Sequence, residues 1–334
     1  MSLSVVLAVV LGVALIGAIA ALVVTELKSP GAAPAGPSPA VVTGREALER
    51  IDLGLRTLAA ECVRSRRPLP DVYALAYSGD GLALRLAGVD LNAPTPWVTD
   101  DRGEEWLLDA EQLAGHGGAA GASHPYALAV TIGLDQGSRV LVDLSRASAA
   151  IAVTGAMDGV RQLVRAFVAE LITGPVGRHA EVTLVGSAAG AELTVGLGMH
   201  SVRLHTVATL EEALSNGADP AHGADPAYGA DPAYGADPAY GAASADQVTQ
   251  VYRLIEGSSP VGVEGRTPRL FVLDAAAYRD EKEAVDGLHA GDALLVLGDA
   301  PGCVWRFQVE ADGSVDTGPL GVRVDVHAGR LSPS

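Results

Sequence analysis

The segment 139–172 constrains the fold more than any other part of this sequence. An apolar strand is predicted at 149–153, and it leads into the short loop Thr154–Gly159. A helix is predicted next, because apolar side chains recur on one face at Val160, Leu163, Val164, Phe167, Val168, Leu171 and Ile172. A strand, a Gly-containing loop and a helix in this order form the frame of a nucleotide-binding site.

The loop in this frame lacks the chemistry of a working phosphate loop. The pattern G-x-x-x-x-G-K-[ST] needs its second Gly for close backbone approach, its Lys for the terminal phosphates and its hydroxyl for Mg²⁺. Counted from Gly155, those positions hold Val160, Arg161 and Gln162. Asp158 also places a carboxylate where phosphate oxygens would lie. Nucleotide hydrolysis is not expected, which leaves an ordinary strand-to-helix turn or a residual binding role.

A second ATPase element would be an apolar strand that ends in carboxylates, one for Mg²⁺ and one for the attacking water. The segment 269–274 has the strand and one acid, Asp274, whereas position 275 is Ala. An Asp after a strand is also an ordinary helix N-cap, so both interpretations of Asp274 stand. The candidate nucleotide site therefore consists of Gly155, Gly159, Arg161 and Asp274, and we predict no catalytic residue.

Composition excludes several other functions. The formal net charge of −17 argues against a nucleic-acid surface, which requires clustered Lys and Arg. The eight histidines show no H-x-x-x-H spacing, and Cys62 and Cys303 form neither a C-x-x-C pair nor a disulfide framework, so neither a metal nor another cofactor is predicted. No G-x-S-x-G elbow is present. Two isolated thiols favour a reducing compartment.

The first residues are predicted to cross a membrane. No charged residue lies between Leu3 and Val24, and the run is long enough for a helix through a bilayer, so residues 3–25 are predicted as a transmembrane helix. A cleaved secretory signal is the alternative, although a basic n-region is missing. Basic residues follow the span at Lys28, Arg45 and Arg50, which favours a cytoplasmic soluble part of a single-pass membrane protein.

Three further regions are predicted between this helix and the α/β region. A Pro/Ala/Gly linker is expected at 26–42. A small α+β unit is expected at 43–114, with Thr43 and Glu46 as a capping box for its first helix and Gly79-Asp80-Gly81 as a hairpin turn. Its tryptophans, Trp97 and Trp106, are interpreted as core residues rather than as a ligand cage. The buried stripe of the helix is predicted at Leu48, Ile51, Leu55, Leu58, Ala59 and Cys62.

Residues 123–330 are predicted to form a mainly parallel, P-loop-like sheet with helices on its faces. Strands alternate here with helical patterns, which is typical of α/β folds. The predicted strands are 126–132, 139–144, 149–153, 181–185, 202–206, 270–273 and 293–297, followed by a hairpin at 304–326 that would close the sheet edge. A hexapeptide, Gly-Ala-Asp-Pro-Ala followed by His or Tyr, occurs four times between 217 and 240. Its regular Pro and Gly predict a disordered insertion at 216–243.

Several segments, in order, resemble the FtsK/SpoIIIE class of motor ATPases. Segments 132–135 and 140–144 are similar to the entry hairpin of that domain, Thr154–Arg161 lies where its phosphate loop falls, and Leu270–Asp274 lies at the second acidic strand. The resemblance covers about 126–300 and implies a motor-type ATPase fold. Because Lys, the hydroxyl and the second acid are missing, it implies a degenerate, non-catalytic copy of that fold.

A second resemblance covers nearly the whole soluble part. Segments 44–62, 125–185 and 301–332 look like the middle region of actinobacterial membrane-anchored proteins that carry LysM and bacterial transcriptional-activator domains. Neither a LysM segment nor an activator-type repeat is found in this sequence, which puts a regulatory output in doubt. The two resemblances together imply a membrane-tethered pseudo-ATPase that acts by binding an unknown protein partner.

Three functions remain open from the sequence. The first is a non-catalytic membrane-anchored scaffold or regulatory module, suggested by the anchor, the degraded loop and the acidic composition. The second is a nucleotide-binding sensor without hydrolysis, which would use the four candidate residues. The third is an exported envelope protein, in the case that the orientation is the reverse of the one predicted.

Overall fold

The computed structural model describes residues 43–115, 126–147, 150–197, 202–216, 267–303 and 305–331. By its contacts the chain divides into Met1–Ser38 and Pro39–Ser334, and all described residues belong to the second unit. The predicted transmembrane helix (3–25), the linker (26–42) and the hexapeptide insertion, apart from Asn216, lie outside the described residues. Within the described ranges, no helix has both the length and the apolar character needed to span a bilayer.

In the first half of the chain, most strands follow one another without a helix between them. They are α1 (Arg45–Arg64), β1 (Val72–Ser78), β2 (Gly81–Leu86), β3 (Val98–Thr99), β4 (Glu105–Asp109), α2 (Ala110–Gly115), β5 (Ala129–Asp135) and β6 (Ser138–Asp143). The stripe predicted for α1 is confirmed, since all six of its residues are buried. The predicted capping box is wrong, because Gly44 is the N-cap and no side chain caps the helix.

The second half supplies shorter helices between buried strands. It contains β7 (Ile151–Gly155), α3 (Met157–Thr173), β8 (Glu181–Val185), α4 (Ala191–Thr194), β9 (Leu204–Val207), α5 (Leu210–Asn216), β10 (Arg269–Asp274), α6 (Ala275–Asp280), α7 (Lys282–Asp286), β11 (Ala293–Leu297), β12 (Trp305–Val309), β13 (Val315–Asp316), β14 (Arg323–Val324) and β15 (Val326–His327). The seven apolar residues predicted for one face of α3 are all buried.

These strands form two sheets, so the predicted mixed α/β class is confirmed. The parallel sheet has the order β14-β13-β12-β7-β11-β10-β8-β9, in which the six strands from β12 to β9 run parallel and the two at the other edge are antiparallel. The antiparallel sheet has the order β15-β5-β6-β1-β2-β4-β3.

Two strands were assigned to the wrong sheet by the sequence pattern. β5 and β6 were predicted in the parallel sheet, but β6 pairs antiparallel with β1, from Ala74 opposite Val142 to Tyr77 opposite Arg139. Both strands are buried along almost their whole length, a pattern that is typical of parallel strands. Here an antiparallel sheet has the same pattern because helices cover both of its faces.

The C-terminal hairpin lies at one edge of the parallel sheet, as the sequence predicted. β12 and β13 form the hairpin around Asp312-Gly313, with Val309 opposite Val315. The other side of β12 pairs with β7 along five residues, from Trp305 opposite Ile151 to Val309 opposite Gly155, so that β12, β13 and β14 complete this edge. The chain thereby brings β12 against the strand that carries the candidate phosphate loop.

Helix α3 lies between the two sheets. Its buried face packs with Val130, Ile132 and Val142 of the antiparallel sheet and with alternate residues of the parallel strands, such as Leu270 and Val272. The intervening residues of those strands, Phe271 and Leu273 among them, face α5, α6 and α7 on the opposite side. Helix α1 covers the outer face of the antiparallel sheet, where Trp97 and Trp106 are buried as predicted.

Candidate functional site

The carboxyl ends of the parallel strands are the expected place for a ligand in a sheet of this type. β7 ends at Gly155 and β10 ends at Asp274, and β11 lies between them. The ends of β7 and β10 are therefore about 10 Å apart, since neighbouring strands are separated by about 4.8 Å. The four candidate residues lie at one edge of the sheet, as two groups.

The connection after β7 leaves no loop to wrap a phosphate. β7 ends at Gly155 and α3 begins at Met157, so Ala156 alone joins them. Gly155 has a φ of +123°, which favours glycine, and a Cβ at this position would lie 2.1 Å from the carbonyl oxygen of Val309 in β12. Gly155 is therefore required by the close packing of β12 against β7.

Gly159 and Arg161 lie in the first turns of α3 rather than in a loop. A Cβ on Gly159 would lie 3.0 Å from a methyl carbon of Val309. The absence of a side chain at Gly159 therefore also leaves room for β12 to pack. The Arg161 guanidinium is engaged with Glu192 of α4, with 2.7 Å between Nε and Oε2, and its Nη1 lies 3.9 Å from Asp158. Two carboxylates beside Arg161 oppose the approach of an anion.

Asp274 acts as a helix cap. One carboxylate oxygen accepts hydrogen bonds from the backbone amides of Ala276 at 2.7 Å and Ala277 at 2.8 Å, in the first turn of α6. The other oxygen accepts from the hydroxyl of Ser187, which follows β8. The Ser187 hydrogen bond, followed by those from the two amides, holds the pKa of Asp274 below its usual value.

Sequence reasoning missed two partners of these residues. Ser187 follows the neighbouring strand β8, and its position after an apolar strand was a usable signal because carboxyl ends of parallel strands meet at one edge. Glu192 had no comparable signal, since α4 has only four residues. Asp143 is also a cap, because its carboxylate accepts a hydrogen bond from the backbone amide of Ser145 at 3.1 Å in the 3₁₀ turn Leu144–Arg146.

Neither metal binding nor thiol chemistry is evident among the residues that the structure describes. No cluster of three or more His, Cys, Asp or Glu side chains in those ranges could hold a metal ion. Cys62 is buried in α1, and burial raises the pKa of its thiol to about 12. Cys303 is half-buried, and its pKa is also raised by burial.

A cleft lies away from the strand ends, beside the part of the antiparallel sheet that α3 does not cover. It consists of cavities of about 340 and 680 Å³ that share Tyr73, Ala87 and Leu320. The smaller one is bounded by Trp305 and by the ion pair of Arg146 with Asp71. The larger one carries charges of both signs, namely Arg85, Arg102, Asp100, Glu104 and Glu105.

Exposed apolar side chains lie at the rim of the larger cavity. Val89 lines it and is 69% exposed, and Leu91, which is 61% exposed, lies beside the same turn at Gly103. Apolar side chains beside a polar cleft are a common feature of protein-binding surfaces. Nothing in the sequence pattern indicated this cleft, because its walls come from β1, β2, the β3–β4 turn and the 3₁₀ turn Gly318–Leu320.

Comparison with known proteins gives a structural similarity but no family. No family model matches the chain, and no curated protein matches it. A solved structure of the pCW3 conjugation coupling protein TcpA, in its monomer form with ATPγS, is similar over 84% of this chain and 94% of that chain, at 9% identity and a TM-score of 0.34. TcpA belongs to the FtsK/SpoIIIE family that the sequence resembles, whereas the resemblance to LysM and transcriptional-activator proteins is without support. At this TM-score the similarity carries no argument about function.

Proposed function

We propose that this chain is a non-catalytic, membrane-anchored scaffold or regulatory module that acts through protein binding. One observation carries the proposal: α3 begins at Met157, within the stretch that would have to wrap a phosphate. A phosphate loop binds through several successive backbone amides that point into one concavity. With Ala156 as the only residue between strand and helix, that concavity has no chain to form it.

The remaining candidate residues support the same proposal. Gly155 accommodates β12, Arg161 is paired with Glu192, and Asp274 caps α6. Each position that would serve a nucleotide thus has a structural partner within the fold. The frame is retained as a scaffold, and binding is assigned to another surface.

The cleft beside the antiparallel sheet is the surface that fits a protein partner best. We assign to it an extended polypeptide segment that carries both charged and apolar side chains. Charges of both signs line the larger cavity, and the rim presents Val89 and Leu91, so such a segment would find complementary groups along its length. Anchoring at the membrane through residues 3–25, with the cleft in the cytoplasm, would restrict the partner to proteins at the membrane surface.

A matched pair of variants tests the assignment of the cleft. Val89→Ser changes an exposed side chain that lines the cleft, whereas Val195→Ser changes a side chain of similar exposure, 58%, that does not line it. Partners recovered with the full chain from mildly solubilised membranes should be lost with V89S and kept with V195S. Recovery that is equal for both variants, or absent for the wild type, would contradict the proposal.

Nucleotide binding without hydrolysis is the alternative that the same chain must be tested for. Calorimetry with millimolar ATP, GTP and their diphosphates, with and without Mg²⁺, is expected to give no heat of binding. Saturable heat that Arg161→Gln removes and Arg165→Gln preserves would replace the scaffold by a nucleotide sensor. Arg165 is a suitable control because it lies on the same helix and is bonded to the carbonyl of Val195.

Export of the soluble part is tested by thiol labelling. Cys303 is the accessible thiol of the two, because Cys62 is 1% exposed. A membrane-impermeant maleimide should label the chain only after cell lysis, and Cys303→Ser should abolish the native signal. Labelling of intact cells would place this part outside the membrane and favour an envelope protein.

A further inference from the structure

The C-terminal segment Asp325–Leu331, here named the strap, lies across the edge of the antiparallel sheet. Val326 and His327 pair with Leu134 and Gly133 of β5, and the amide of Asp325 donates to the carbonyl of Leu134 at 2.7 Å. The turn that follows packs against α3, so closely that a Cβ on Gly329 would lie 2.6 Å from the backbone of Gln162. The strap thus touches both the sheet and the helix between the sheets.

His327 is the buried centre of this strap. Its side chain has no exposed surface, and neither ring nitrogen has a hydrogen-bond partner among the described residues. Its backbone amide, by contrast, donates to the carbonyl of Gly313 at 2.8 Å. A buried polar group without a partner destabilises its surroundings, and a buried charge without a partner destabilises them far more.

No negative charge compensates a proton on this ring. Within the described ranges His327 belongs to no ion pair, and the charged group that acts on it is Arg330, whose positive charge lowers the pKa further after the larger effect of burial. The carboxylates on the elements packed around the strap are bonded elsewhere: Asp312 to Ser314, Asp325 to the amide of Gln136, and Glu170 of α3 to Thr131 and Arg139.

The positive charges on those elements are also engaged elsewhere. Arg330 donates to the carbonyls of Asp312 at 2.8 Å and Ala311 at 2.9 Å, which fixes the end of the strap. Arg161 of α3 is bonded to Glu192, and Arg165 to the carbonyl of Val195. The closed strap therefore accommodates the neutral imidazole, and the described residues supply no bonded partner that would stabilise the imidazolium.

We propose that His327 makes the strap a proton-operated switch: the neutral ring keeps the strap on the sheet, and protonation releases it. Release uncovers the edge of β5 at Gly133 and Leu134, whose backbone groups then become available for pairing with another strand. The switch goes beyond the proposed function and does not depend on it.

The sign of the pH effect follows from linkage. In the open strap His327 has an ordinary pKa near 6.5, whereas the closed strap lowers that pKa. The open state therefore binds the proton more readily, and acid favours opening. Below pH 6.5 the population of the open strap should rise about tenfold for each pH unit, until the pH reaches the lowered pKa of the buried ring.

Hydrogen exchange followed by mass spectrometry on the full chain in mild detergent tests this switch. Exchange at pH 5 and pH 7.5 is compared after correction for the intrinsic rate. Peptides covering 313–331 should lose protection at pH 5 relative to pH 7.5, by up to about thirtyfold, while peptides from β10 and β11 keep theirs. His327→Leu, an apolar residue of similar size, should abolish the difference, and His205→Gln on exposed β9 should retain it.

Three outcomes would overturn the proposal. Equal protection of the strap at both pH values would mean that the ring titrates without opening it. Parallel loss of protection in both sheets would indicate global destabilisation instead of local release. A pH effect that persists in H327L would assign the titration to another group, and His327→Asn, which does not titrate in this range, serves as the second variant if H327L does not fold.

Discussion

The two sheets differ in how they bury charge. Around the antiparallel sheet the buried acidic and basic side chains include Asp52, Arg139, Asp143 and His327, whereas the parallel sheet buries Arg269, which is paired with Asp292 at 2.8 Å. The parallel sheet is held by apolar packing on both faces. The antiparallel sheet is joined to its neighbours by polar networks.

We infer from this difference that the parallel sheet is the rigid part of the fold and that the antiparallel sheet is the part that responds to pH. In the parallel sheet, the residues at the strand ends have packing and capping roles. The antiparallel sheet has the cleft, the strap and the buried titratable groups Asp143 and His327. We therefore expect substitutions in the parallel sheet to change stability alone, and those in the antiparallel sheet to change pH response and binding as well.

The largest effect is expected from breaking the network that joins the antiparallel sheet to helix α3. Arg139 donates to Thr131 at 2.7 Å and to the carbonyls of Thr43 and Gly44, and its other nitrogen lies 3.1 Å from Glu170 of α3. Arg139→Met leaves Glu170 buried without its cation and should lower the free energy of unfolding by about 3–5 kcal/mol. Urea unfolding followed by circular dichroism measures this change.

Two controls make that result specific. Arg45→Met removes an exposed ion pair with Glu49 and should cost less than about 1 kcal/mol. The double variant R139M/E170Q should be more stable than R139M, because the uncompensated charge is gone. A loss of stability in R139M no larger than that in R45M would contradict the structural role of this network.

A smaller loss is expected at the strand that would carry a phosphate loop. Gly155→Ala places a Cβ against the carbonyl of Val309 at a φ of +123°, so stability should fall by about 2–4 kcal/mol. Gly159→Ala is the matched variant, since it lies in a helix and meets only a methyl group. Thermal unfolding of both variants without any ligand measures the effect of packing alone. Equal stability of the two variants would contradict the packing role of Gly155.

Elements with long apolar runs or clear turns were predictable from the sequence. Helix α3 was predictable because seven apolar residues recur at helical spacing, and the β1–β2 hairpin because glycines flank Asp80 between two apolar strands. The sheet to which β5 and β6 belong was not predictable, because burial on both faces gives the same apolar pattern in either kind of sheet.

The site was predictable in position and not in role. Gly155, predicted in the loop after the strand, is the last residue of β7, and Asp274 ends β10 as predicted, so both lie at the carboxyl edge of the parallel sheet. What fixes their roles comes from distant segments: Val309 contacts Gly155 from β12, and Ser187 donates to Asp274 from the turn after β8. Local spacing carries no information about such contacts, since they depend on the strand order.

Asp143 offers a test of the antiparallel sheet through pH. Burial raises the pKa of this carboxyl to about 6, so the folded state binds its proton more tightly than the unfolded state, whose pKa is near 3.8. Stability should therefore fall as pH rises from about 4 to 6, by on the order of 3 kcal/mol in total. Asp143→Asn should remove this pH-dependent fall in stability. At pH 7 the substitution should raise the free energy of unfolding by about 1–3 kcal/mol.

His327 and Asp143 change stability with pH in opposite directions, so their effects can be separated. His327 destabilises the strap as pH falls below 6.5, whereas Asp143 destabilises the fold as pH rises through about 6. Urea unfolding of D143N between pH 4 and 8 should thus show stability that only rises with pH. A profile with the same fall as in the wild type would exclude Asp143 as its cause.

The smallest effect is expected at Asp274, where it distinguishes a cap from the remnant of a catalytic site. Asp274→Ala removes the acceptor for the amides of Ala276 and Ala277 and should lower stability by about 1 kcal/mol. Asp274→Asn keeps an oxygen that can accept from these amides, so its stability should remain within a few tenths of a kcal/mol of the wild type. A carboxylate that bound Mg²⁺ would respond differently, because both variants would lose the charge. If calorimetry with Mg²⁺ and ATP gave heat that D274A and D274N abolished equally, the cap would be secondary and the parallel sheet would retain a nucleotide site.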